Sequence, residues 1–110
     1  MALYGYGLLF LAALLEVGGD ALIRLGLHSH LALARLALFL VGGLVLLAYG
    51  LVVNAPAWDF GRLLGVYVTL FFVVAQAVNW SVFGLKPGPP ILVVGSLIQA
   101  GGVVVTLWRA

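Results

Sequence analysis

The 110-residue chain contains no cysteine, and only 7% of its residues are charged. The absence of cysteine excludes a disulfide framework and a thiolate metal site. A water-soluble domain needs far more charge on its surface than this chain can supply. The five cations are spread singly along the sequence and form no basic patch, so nucleic acid is not an expected partner. Membrane lipid is the partner that the composition requires.

Apolar residues make up 65% of the chain, and the mean hydropathy is +1.30. A membrane-spanning helix needs about 20 mostly apolar residues. The connectors NAPAWDFGR and GLKPGPP, rich in proline and glycine, help to divide the chain into four such lengths. We therefore expect an all-α membrane protein in which residues 1–110 form a single four-helix transmembrane domain. The approximate spans are 4–28, 33–54, 63–83 and 91–108.

The cations give little information on the orientation of the chain in the membrane. An even number of spans places Arg62 and Arg109 on one side, and Arg24, Arg35 and Lys86 on the other. Two cations against three is no firm bias under the positive-inside rule. One weakly preferred orientation, or insertion in both orientations to form an antiparallel dimer, fits this count equally well.

Three charges interrupt the apolar first span. Glu16, Asp20 and Arg24 are spaced four residues apart and form one stripe on a helix, with Gly19 beside it. Asp20 and Arg24 fit an internal ion pair near the membrane boundary. Glu16 lies near mid-span and has no cation one turn away, and a carboxylate facing lipid costs at least about 2.5 kcal/mol. We expect Glu16 to bind protons or a cationic ligand; the alternative is a structural hydrogen bond to a neighbouring helix.

The third and fourth spans supply residues that could line a ligand site or contact another helix. Tyr67 and Trp80 of the third span could stack on a cation, although Trp80 also fits an interfacial anchor. Gly95, Gln99 and Gly102 of the fourth span form a small-residue seam suited to helix–helix or dimer contact.

The second span and the short loop that precedes it contribute less to the expected site. The second span, rich in leucine and valine with Gly42 and Gly43, is assigned a packing role. His28 and His30 form only a weak metal signal on a loop. We expect no metal, no cofactor and no enzymatic activity.

Three segments resemble the small multidrug resistance family, four-span transporters of the drug/metabolite transporter superfamily. The segment EVGGDALIR, from Glu16 to Arg24, is similar to the family's first-span pattern E-V-x-G-x-x-L-x-K. The segment from Trp80 to Pro90 is similar to its W-x-x-F-G-x-x-x-x-x-P junction. The run LIQAG, which ends at Gly101, resembles the fourth-span run L-I-x-x-G that mediates dimerisation in the family.

The third span departs from that family. Tyr67 stands where the family has a substrate-facing tryptophan, and Leu64, Thr69 and Phe71 replace the tyrosine and glycines expected around it. Gly61 and Arg62 followed by Tyr67 are closer to the YnfA-like proteins of the same superfamily, whose third span opens G-R-x-x-x-x-Y.

The resemblance implies an antiparallel homodimer in a prokaryotic plasma or inner membrane that exports small hydrophobic cations in exchange for protons. It implies that Glu16 is the shared proton and substrate site. We expect the accompanying binding residues to be Gly19, Asp20, Tyr67, Phe72 and Trp80, and the dimer contacts to be Gly95, Gln99, Gly101 and Gly102. A second hypothesis is a non-transporting membrane subunit that docks on a larger complex or binds lipid or pigment.

Overall fold

The computed structural model describes residues 2–107, and the side chains of residues 3–107; this part of the chain forms four α-helices and no strand. The helices are α1 (Ala2–Leu27), α2 (Ala32–Val53), α3 (Phe60–Ser81) and α4 (Pro89–Leu107). The predicted all-α architecture is confirmed. The expected end of the fourth span, Trp108, lies outside the described residues.

The ends of the helices follow from local chemistry. α3 begins at Phe60, three residues before the apolar run expected from Leu63, because the Asp59 carboxylate accepts a hydrogen bond from the Arg62 backbone N–H at 2.8 Å. After α3, Gly84 adopts φ +71° and its N–H donates to the Trp80 carbonyl at 3.1 Å. This left-handed residue closes the helix end, a conformation that glycine adopts without strain.

The outer surface of the helices is apolar. α2, α3 and α4 are each long and apolar enough to cross a membrane. α1 has 26 residues, a length of about 39 Å, and carries three charged residues. Large apolar side chains remain exposed on each helix, such as Leu3 (87%), Leu51 (70%), Phe60 (67%) and Leu97 (69%). Surface of this kind is suited to lipid, and the chain is a multi-pass membrane protein.

The chain divides after Ala55 into two compact units, and each unit is one helical hairpin. In the first hairpin, α1 packs on α2 where two glycines meet. A Cβ placed on Gly19 would lie 3.2 Å from the Gly42 carbonyl oxygen, and a Cβ on Gly42 would lie 3.2 Å from the Gly19 carbonyl oxygen. The two backbones therefore approach closely at this point, as small residues allow in membranes.

In the second hairpin, α3 packs on α4 with side chains lying over glycines. The Phe72 ring covers Gly95, and the Thr69 side chain covers Gly102. The Gln99 amide donates to the Thr69 carbonyl oxygen at 3.0 Å, so a hydrogen bond joins the two helices at the same level. In this hairpin, side chains of each helix therefore lie against the backbone of the other helix.

The open ends of the second hairpin are joined by a charged side chain. The Arg62 guanidinium, in the first turn of α3, donates to the Thr106 carbonyl oxygen at 3.0 Å. A cation near the C-terminal end of a helix is favourable because the last carbonyl groups carry partial negative charge. The bond ties the start of α3 to the end of α4.

Candidate functional site

The candidate site lies in the first hairpin, around Glu16 of α1. The Glu16 side chain is half-buried, and it is hydrogen-bonded to the side chain of Tyr49 in α2. Because an ionised carboxylate is an acceptor only, the Tyr49 hydroxyl donates to it. The bond holds the carboxyl group at a defined place between α1 and α2.

The sequence on each helix explains why these two side chains meet. On α1, Ala12, Glu16 and Gly19 follow one another at helical spacing on one face. On α2, Gly42 and Tyr49 are seven residues apart and share a face in the same way. The Gly19–Gly42 contact draws the helices together, and Ala12 is fully buried one turn before Glu16. Small residues therefore bring the carboxyl group within reach of the phenol.

A second carboxylate contributes to the electrostatics of this site. Asp20 lies one turn beyond Glu16 on α1 and is exposed, and its negative charge acts on Tyr49 together with that of Glu16. Arg24, one further turn along, is also exposed. Two acids around one phenol give the first hairpin a local negative field, which favours a proton or an organic cation as the ligand.

The predicted aromatic residues lie in the second hairpin and occupy different surroundings. Tyr67 is buried in α3, with its ring centroid 6.0 Å from that of Phe71. Phe72 packs on α4 over Gly95. Trp80 is 54% exposed near the end of α3. The structure thus groups Glu16, Gly19 and Asp20 in one hairpin, and the roles of the three aromatic residues in ligand binding stay predictions.

The predicted dimer residues separate into two groups within one chain. Gly95, Gln99 and Gly102 contact α3 of the same hairpin. Gly101 is exposed, and a Cβ added there would meet nothing within 4 Å. A contact between two copies at these positions stays a prediction.

Sequence reasoning missed Tyr49. The sequence pattern predicts only a packing role for the second span, but this span also supplies the hydroxyl that donates to Glu16. The available signal was the seven-residue spacing between Gly42 and Tyr49, which puts the tyrosine on the helix face that packs against α1.

The fold and this site define a class: a small multi-pass membrane protein built of two helical hairpins, with a carboxyl group held between two of its helices. The chain is 36% identical over 104 residues to a UPF0060 membrane protein of Rhodococcus erythropolis, covering 92% of this chain and 91% of that protein. It is 27% identical over 103 residues to a UPF0060 membrane protein of Herpetosiphon aurantiacus, again covering 92% and 91%. The chain belongs to the UPF0060 membrane proteins, the YnfA-like family of the drug/metabolite transporter superfamily.

This membership confirms the YnfA-like interpretation of the third span and the bacterial, multi-pass membrane localisation. The more specific assignment to the small multidrug resistance family is not confirmed. No family model matches the chain, and no solved structure matches it.

Proposed function

We propose that the protein is a proton-coupled exporter of small hydrophobic organic cations, in which Glu16 binds a proton and the cation alternately. Membership of the drug/metabolite transporter superfamily supports transport as the activity. The observation that carries the proposal is the Glu16 carboxyl group, held by Tyr49 inside an apolar helical hairpin.

Because Glu16 lies within a membrane-spanning hairpin, its carboxyl group can be neutralised either by a proton or by a cationic ligand. An ionised side chain within a bilayer is costly by several kcal/mol unless it is paired, so the carboxylate must take up either a proton or a cation. Because one negative charge is neutralised by one of these ligands at a time, binding of the cation releases the proton. This competition couples the exit of a cation to the entry of a proton.

The same physics sets the class of substrate. Coulomb attraction is strong where water is scarce, which selects a positive charge. The apolar helices favour a ligand whose body is hydrophobic, and the Tyr49 ring offers an aromatic face to the cation. We propose that the working unit is a homodimer, which contains two Glu16 carboxyl groups. The protein would then act on its ligands by binding and release, without enzymatic chemistry.

The test is proton release from the purified, detergent-solubilised full chain when tetraphenylphosphonium is added in weakly buffered solution. The unmodified protein should release about one proton for each cation bound, and the Glu16→Gln variant should release none. Asp59→Asn is the matched control, because Asp59 lies outside the helices and asparagine retains its capping role at the start of α3. Asp59→Asn should behave like the unmodified protein.

An Asp20→Asn variant separates the two acids of α1. We expect it to retain proton release, because Asp20 is exposed and Glu16 holds the hydrogen bond to Tyr49. If neither the unmodified protein nor the variants release protons across a panel of organic cations, while a known exporter does so, cation antiport is wrong. The non-transporting subunit is then the better hypothesis, and co-purification of a larger complex would support it.

A further inference from the structure

The second hairpin carries an open groove between α3 and α4, with a volume of about 520 Å³. We call it the α3–α4 groove. Along α4 it runs from Ile91 to Gln99, which corresponds to about 12 Å of helix. Its walls include Phe72 and Gln76 of α3, Pro87 of the connector, and Ile91, Ser96 and Gln99 of α4.

Two of the three polar side chains in these walls are hydrogen-bonded within the hairpin. The Ser96 hydroxyl donates to the Leu92 carbonyl oxygen at 2.8 Å, and the Gln99 amide donates to the Thr69 carbonyl oxygen at 3.0 Å. The groove therefore presents mainly hydrocarbon to an occupant. A ligand that fills it must be apolar along most of its length.

The connector end of the α3–α4 groove is different, because it carries a positive charge. The groove-lining face of α3 carries Phe72, Gln76 and Trp80 at four-residue spacing. Trp80 is therefore on the same face as the two groove residues, one turn closer to the connector. The Lys86 ammonium lies 5.6 Å from the Trp80 ring centroid, and the next residue, Pro87, lines the groove. Lys86 and Trp80 are both exposed. A cation and an indole ring thus lie together at one end of the apolar α3–α4 groove.

We propose that the α3–α4 groove binds an acyl chain of an anionic phospholipid, whose headgroup phosphate pairs with Lys86. The hairpin lies in a bilayer, so hydrocarbon chains surround the groove, and the charge of Lys86 selects among lipids by their headgroups. Trp80 is suited to the boundary between acyl chain and headgroup, where tryptophan is enriched in membrane proteins. Gln76, one turn before Trp80, provides an amide close to the ester groups of the lipid. This binding site is separate from the Glu16 site and does not depend on the proposed function.

The test is native mass spectrometry of the full chain, after exchange into detergent that contains phosphatidylglycerol or phosphatidylcholine with the same acyl chains. The unmodified protein should retain phosphatidylglycerol about five-fold better than phosphatidylcholine, the preference expected for one lysine near an anionic headgroup. Lys86→Gln should lose this preference. Arg35→Gln is its control, because Arg35 is an exposed cation of the first hairpin, and it should keep the preference.

A second variant tests the groove itself. Ser96→Phe places a ring in the α3–α4 groove and should reduce retention of both lipids at least five-fold. Ser81→Phe is the matched control: Ser81 is exposed, its hydroxyl also donates to the carbonyl oxygen four residues before it, and it does not line the groove. Unchanged helicity by circular dichroism would verify that both variants fold.

Two outcomes would overturn the proposal. One is equal retention of the two lipids by the unmodified protein and by Lys86→Gln; this comparison needs no change inside the hairpin. The other is that Ser96→Phe leaves lipid retention unchanged but lowers the dimer fraction. The occupant of the groove would then be a second copy of the chain, since Gly95 and Gln99 line it as well.

Discussion

The two hairpins are alike in architecture but differ in what their helix contacts hold. In the first, glycine meets glycine, and the close approach brings a carboxyl group of α1 to a phenol of α2. In the second, glycines of α4 meet the Phe72 ring and the Thr69 side chain, and an apolar groove runs beside them. Both acids that lie in helices belong to α1. The comparison separates a hairpin suited to charge chemistry from one suited to packing and lipid.

The kind of atom that faces each glycine determines how much each contact can adapt. A Cβ on Gly19 would meet the Cγ and Cδ2 atoms of Leu46 at 2.7 Å, and a leucine side chain can rotate away; its backbone contact, the Gly42 carbonyl oxygen at 3.2 Å, is less tight. A Cβ on Gly102 would overlap Thr69, including its Cβ at 2.8 Å. Threonine is branched at Cβ and has little freedom at χ1. The second hairpin should therefore tolerate added volume less well than the first.

The largest expected effect is on stability, and it tests whether the second hairpin tolerates added volume less well than the first. Gly102→Ala should destabilise the protein by about 2–3 kcal/mol relative to Gly101→Ala, since the two variants gain the same helix propensity and only the first is overpacked. Gly19→Ala, compared with Gly18→Ala, should cost only about 1 kcal/mol, because Leu46 can move and the Gly42 carbonyl oxygen, at 3.2 Å, needs only a small shift of the helices. The measurement is unfolding of the full chain by sodium dodecyl sulfate in mixed micelles, followed by circular dichroism.

Two results would change this interpretation. Equal costs at Gly102 and Gly19 would mean that the threonine contact adapts as easily as the leucine contact. A large cost for Gly101→Ala would indicate that this glycine, where an added Cβ meets nothing within 4 Å among the described residues of its own hairpin, packs against another copy.

The sequence was sufficient to predict the helices because span length, proline and glycine determine them locally. The four helices lie close to the expected spans, and the earlier start of α3 follows from the capping preference of Asp59. The prediction that Glu16 is the focus of a site also came from one helix, because the cost of an acid in lipid can be judged from its depth in the span. Local rules serve well for features that depend on one helix.

The partner of Glu16 could not be predicted in the same way. The Tyr49 contact depends on which faces of α1 and α2 meet, and glycines occur at both Gly42 and Gly43. Only Gly42 lies in the helix contact; a Cβ on Gly43 would meet nothing within 4 Å. A difference of one residue rotates the packed face by about 100° and would have turned Tyr49 away. The sequence pattern therefore did not determine which faces of α1 and α2 pack together.

The second-largest expected effect concerns the Tyr49 hydroxyl of the first hairpin and its part in cation binding. Tyr49→Phe keeps the ring but removes the hydroxyl that donates to Glu16. A cation needs the ionised carboxylate, and the variant removes one donor that stabilises this form, so tetraphenylphosphonium should bind more weakly at a fixed pH. Hydrogen bonds between membrane helices contribute about 0.6–1.7 kcal/mol, which corresponds to a loss of roughly three- to seventeen-fold in affinity.

Isothermal titration calorimetry of the purified chain would measure this affinity. Tyr4→Phe is the control, since Tyr4 is 75% exposed near the start of α1, and its affinity should match that of the unmodified protein. If Glu16→Gln abolishes binding but Tyr49→Phe leaves the affinity unchanged, the Tyr49 hydroxyl has no role in stabilising the carboxylate that binds the cation.

The smallest expected effect concerns the hydrogen bond in the second hairpin. Gln99→Leu removes the bond from the Gln99 amide to the Thr69 carbonyl oxygen and leaves an apolar side chain that is one atom shorter. Gln76→Leu is the matched change on the facing helix, at the wall of the same groove. Unfolding in sodium dodecyl sulfate should show a cost of about 0.6 kcal/mol for Gln99→Leu, the average for interhelical bonds in membranes, and no cost for Gln76→Leu.

This small value is informative because the Gln99 bond and the Thr69–Gly102 contact lie at the same level of the hairpin. If packing holds the second hairpin together, losing the bond must cost several-fold less than overpacking at Gly102. A cost for Gln99→Leu as large as that of Gly102→Ala would reverse the comparison. The polar bond between Gln99 and Thr69 would then matter as much to the second hairpin as its packing does.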